Sequence, residues 1–167
     1  MINVAGIPYI GSAITDSKDT FYVKEGYLYS TVRTDVELQS MIDSYDPLPE
    51  AKAEALQRVK EASATKRLQF VTQAAGKDAE YTFKAQEAAQ FGIDGSIGVF
   101  MQGRINATGD TAAEVAAIWN ANTNGWKQVG AAIAGLEDKA SKQIGAETNW
   151  QQCSVVADAI IAQIEAI

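Results

Sequence analysis

Histidine is absent from this chain, cysteine occurs once and proline three times in 167 residues. Without imidazole the sequence lacks the commonest general base, the commonest zinc ligand and every triad built on His. A single cysteine excludes an internal disulfide and a thiolate metal cluster. Cys153 falls on the apolar side of an expected helix, where a thiol acts as a small hydrophobe. No apolar run reaches the roughly 18 to 20 residues of a membrane span, and Met1-Ile2-Asn3-Val4 lacks the basic start of a signal peptide. Positive charge is also scarce: 14 Lys and Arg against 21 Asp and Glu give a net charge of -7, the wrong sign for the phosphate backbone. The expectation is a protein made in the cytoplasm that binds neither membrane nor nucleic acid.

Nucleotide motifs fail in detail. Ala75-Gly76-Lys77-Asp78 has Asp where a P-loop needs Ser or Thr for magnesium, and helix rather than strand is expected before it. Gly92, Gly95 and Gly98 lack the spacing and the βαβ surroundings of a dinucleotide fingerprint. The carboxylates Glu50, Glu54, Glu61, Asp78, Glu80 and Glu87 lie in polar helical stretches and read as solvated faces with i,i+4 partners. We expect no catalytic, cofactor-binding or metal-ligating residue.

What is present is a hydrophobic content of 47%, enough for a core, distributed in two styles. Residues 1–46 are rich in Tyr, Thr, Gly and β-branched residues, which suit a pleated surface. Ile2 to Ile14, interrupted by Gly6, Pro8 and Gly11, reads as a short strand plus irregular chain. Thr20-Phe21-Tyr22-Val23 and Tyr27 to Val32 flank Lys24-Glu25-Gly26 and predict a β-hairpin, with positive φ at the glycine. Thr34-Asp35-Val36-Glu37 is a capping box, so a short helix to about Asp43 should follow. Pro47 stops it, and Pro49 suits the first turn of the next.

From residue 47 onward the pattern is helical. Glu50 to Phe70 combines strong helix formers with a thin stripe of Leu56, Val59, Ala62, the Lys66 stem and Phe70. After a break at Thr72 to Asp78, a helix from Asp78 to Phe91 would pack through Tyr81, Phe83, Ala85 and Ala88, making an antiparallel hairpin with the preceding one. Gly92 to Gly98 reads as a loop, with Val99-Phe100-Met101 returning to the core. Thr111 to Glu114 is a second capping box. Val115, Trp119, Asn122, Trp126, Val129, Ile133, Leu136 and Ala140 then recur in steps of four and three, a coiled-coil-like seam weakened near Asn120 to Gly125. Thr148 or Asn149 restarts a last helix carrying Trp150, Cys153, Ala157, Ile160, Ile164 and Ile167. The expected fold is mainly α: antiparallel helical hairpins or a bundle in residues 47–167, beside a small β-hairpin region in residues 1–46. In it Trp126 and Trp150 are core residues.

The stretch from Leu48 to Ile144 also resembles a family. Thr65-Lys66-Arg67-Leu68-Gln69-Phe70-Val71-Thr72-Gln73-Ala74-Ala75-Gly76-Lys77-Asp78-Ala79-Glu80-Tyr81 with Lys84, then Thr111-Ala112-Ala113-Glu114-Val115-Ala116 and Trp126-Lys127-Gln128-Val129, resemble small proteins encoded beside tail-fibre genes in tailed phages and prophages. Gln73 stands where such proteins often carry proline, and the Gly92 to Gly98 loop lacks their proline-containing link. The resemblance implies helical structure and association with a tail-fibre or baseplate protein, as a virion component or as a cytoplasmic assembly chaperone, and no catalytic residue. Independently, a marginal two-stranded hairpin with an open edge makes Phe21, Tyr22, Tyr27 and Tyr29 the candidate contact residues. A thin helical bundle leaves room for packing on a partner or a second copy.

Overall fold

Two residues of positive φ, Glu25 at 54° and Gly26 at 80°, make the tight connection that joins β2 (Phe21–Lys24) to β3 (Tyr27–Ser30). Positive φ at both central residues matches the right-handed twist of paired strands. The structure is a computed structural model and describes residues 1–10, 21–70 and 77–167. The expected hairpin is present, with Lys24 in the strand. It is not two-stranded, however: β1 (Ile2–Asn3) pairs antiparallel with β3, giving the order β1-β3-β2. Gly11 to Ile14 and the Thr72 to Gly76 turn lie outside the described residues, as does the Phe21 side chain.

Six helices follow among the described residues, so the fold is mainly α: α1 Asp35–Asp43, α2 Leu48–Leu68, α3 Lys77–Asp94, α4 Val99–Thr108, α5 Ala112–Ala146 and α6 Trp150–Glu165. Both capping boxes form. Glu37 N donates to Thr34 Oγ1 at 3.3 Å while Thr34 N donates to the Glu37 carboxylate at 2.8 Å, and Thr111 and Glu114 repeat the same two distances. Asp46 accepts from Leu48 N at 2.9 Å at the start of α2, and Asn149 accepts from Gln151 N at 2.9 Å at the start of α6. No helix of the described residues is long and apolar enough to cross a membrane.

Backbone proximity groups the chain into two units, Met1–Arg58 with Ala140–Ala159, and Val59–Lys139 with Ile160–Ile167. Residues 1–46 thus belong with stretches of α2, α5 and α6. In the first unit Leu28 of β3 packs with Val4, Ile10 and Leu38 of α1, flanked by Ile2, Ile7, Met41, Ile42 and Tyr45. Ala51, Ala55, Ala140, Ile144, Cys153 and Ala157 are its buried helix positions. Lys52 Nζ donates to the Gly145 carbonyl at 2.7 Å, and Arg58 reaches Ser154 Oγ at 3.0 Å and the Asp158 carboxylate.

In the second unit Val59, Ser63, Ile133, Ile160 and Ile164 are buried. Arg67 grips Glu137 with two parallel bonds of 2.9 and 2.7 Å, which holds the Glu137 carboxyl below its ordinary range. A separate cluster gathers Ala88, Met101, Val115, Ala116 and Trp119, with Phe91, Ile105 and Ala112 against it.

The expected stripes need correction in four places. On α2 the buried ladder is Ala51, Ala55, Val59 and Ser63, leaving Leu56 half-buried and Phe70 beyond the helix end and exposed. The small residues win because they let a neighbouring backbone approach closely. On α3 Tyr81 and Phe83 are exposed, and only Ala88 of the expected set is fully buried. Met101 alone of Val99-Phe100-Met101 reaches the core, because those residues begin a helix and point in successive directions. Finally, α5 runs unbroken through Asn120 to Gly125, yet Asn122 and Trp126 on its seam are exposed, while Trp150 is half-buried.

Helix α4 itself was not anticipated, and its start shows why. The Glu87 carboxylate of α3 accepts from Phe100 N at 3.1 Å and Met101 N at 2.8 Å, satisfying donors that no local side chain reaches. Glu87 is therefore a cap and not only a solvated charge. A Cβ at Gly98 would sit 2.1 Å from Glu87 Cδ, so glycine keeps that carboxylate in place. Gly98→Ala and Glu87→Ala should each lower stability by about 1 kcal/mol. Measured by denaturant unfolding, the double variant should cost little more than either single one. Full additivity would show that Gly98 and Glu87 act separately.

Candidate interaction surface

Strand alternation sorts the hairpin into two faces. Leu28 pairs with Val23 on one side and Ile2 on the other; on this face Leu28 is buried and Ile2 half-buried, whereas Val23 on the outer strand is 44% exposed. The opposite face carries Tyr22 against Tyr29 and Lys24 against Tyr27, with Asn3 beyond Tyr27. The Tyr22 and Tyr29 rings stack at 4.9 Å between centroids and 4° between planes. Tyr22 is 49% exposed and Tyr27 37%, so flat aromatic surface with phenolic hydroxyls faces solvent. Tyrosine in that setting offers large rigid contact area and a hydrogen-bonding tip at little entropic cost.

Three of the four candidate contact residues, Tyr22, Tyr27 and Tyr29, therefore share one face. Phe21 pairs with Ser30 and is out of phase with them in the ladder. Lys24 and Asn3 join the surface. Lys24 was read from the sequence as part of the connection and so was missed, and Asn3 required the β1–β3 pairing. Strand β2 is the outer strand of the sheet order, with no further strand beside it among the described residues.

The same unit holds a cleft of about 170 Å³ lined by Tyr9, Glu54, Arg58, Trp150 and Ser154 among others. The second unit has another of about 280 Å³ beside Lys66 and Glu165. Both fall below the roughly 300 to 1,000 Å³ of typical small-molecule sites. The first is spanned by its own polar groups: the Tyr9 hydroxyl donates to the Glu54 carboxylate, and Arg58 is held by Ser154 and Asp158. Tyr9 sits at φ 61°, a left-handed conformation that is costly for a bulky residue, with its hydroxyl bonded to Glu54. Burial pushes the nearby Cys153 thiol up from its ordinary pKa, so it is held protonated among apolar residues. Among the described residues no three His, Cys, Asp or Glu side chains are placed to hold a metal ion.

Compared with protein-family models, curated proteins and solved structures, the chain matches none.

The hydrogen bond to Glu54, followed by partial burial, raises the Tyr9 pKa from 10.0 to about 12. A raised phenol contributes its stability in full below the unfolded pKa and loses it as pH climbs to the folded one. Tyr9→Phe should accordingly be less stable than the parent below pH 10, and the gap should close between pH 10 and about 12. Thermal unfolding of the two proteins across that window checks this. A gap independent of pH would assign the Tyr9 contribution to packing alone.

Proposed function

We propose that this chain is a non-catalytic tail protein of a bacteriophage, fibre- or baseplate-associated, that acts through protein contacts. The stacked, solvent-facing tyrosine surface carries the reading: Tyr22, Tyr27 and Tyr29 contribute area outside the core formed by Leu28, Leu38, Val4 and Ile10. Aromatic surface with little charge is the composition of contact patches. Beside it, the outer strand β2 offers backbone donors and acceptors to an extended segment of a partner. The resemblance of residues 48–144 to proteins encoded beside tail-fibre genes supplies the setting.

The test has two parts. Mass spectrometry of purified virions from the encoding phage should find the chain as a stoichiometric tail component. A Tyr22→Ser, Tyr29→Ser double variant should retain parental helical circular dichroism and drop at least tenfold in tails, as expected when two aromatic anchors are removed. Fibre assembly that depends on the chain, with none of it in virions, would make it a cytoplasmic assembly chaperone. Normal incorporation of the folded double variant would remove the tyrosine face from the docking role.

A further inference from the structure

We draw no further inference here: the strongest candidate, the exposed surface patch where Phe83 of α3 stacks on Phe100 of α4, is an unpartnered apolar face, and nothing in the structure shows what covers it.

Discussion

Ala51, Ala55, Val59 and Ser63 climb α2 at four-residue intervals, and the buried positions of α5 and α6 in the first unit include equally small partners, Ala140, Cys153 and Ala157. Small side chains reduce the distance between helix axes. Each buries little area, so the apolar stabilisation comes mainly from the isoleucines set among them, Ile133, Ile144, Ile160 and Ile164. Close approach also brings the rims of the helices within reach of long side chains. Arg67 to Glu137, Lys139 to Gln163 and Lys66 to the Glu165 carbonyl are bonds of this kind.

A core built this way has little room for large rings. Trp119 is buried with Met101 and Val115, but Tyr22, Tyr27, Phe83, Phe100 and Trp126 are on the surface. Two pairs of rings stack there, Tyr22 on Tyr29 and Phe83 on Phe100 at 5.8 Å. On the hairpin, Leu28 anchors the sheet from beneath, and the opposite face leaves Tyr22 and Tyr27 exposed.

Features decided by neighbours in sequence were readable in advance. The capping boxes at Thr34 and Thr111, the restart at Asn149 and the hairpin turn at Glu25-Gly26 all depend on a few consecutive residues. The rhythm of Cys153, Ala157, Ile160 and Ile164 was equally clear, and those four are buried, although Trp150 and Ile167 at the ends of the expected series are half-buried and exposed. On α2 the more hydrophobic Leu56 and Phe70 outweighed Ala51 and Ala55 in the sequence pattern, although packing distance favours the alanines. Helix α4 was hidden because its cap, Glu87, lies 13 and 14 residues before the amides it satisfies. Of the candidate surface, Tyr22, Tyr27 and Tyr29 were visible as aromatic residues of an open-edged hairpin, with Phe21 grouped among them although it pairs out of phase. Asn3 was not, since β1 is only two residues long and pairs with β3 across more than twenty residues of chain.

The central claim is that the hairpin tyrosines are a surface for another protein while the small-residue helix stripes hold the fold. Hydrogen exchange read by mass spectrometry on the full chain, free and then with purified tails lacking it, tests that claim most directly. New protection is expected in peptides spanning Tyr22 to Tyr29 on mixing, with the slowest amides of the free chain in Ala55 to Ser63, Ile133 to Ile144 and Cys153 to Ile164. Unchanged exchange at Tyr22 to Tyr29, together with the slowest amides of the free chain lying in that hairpin, would contradict it.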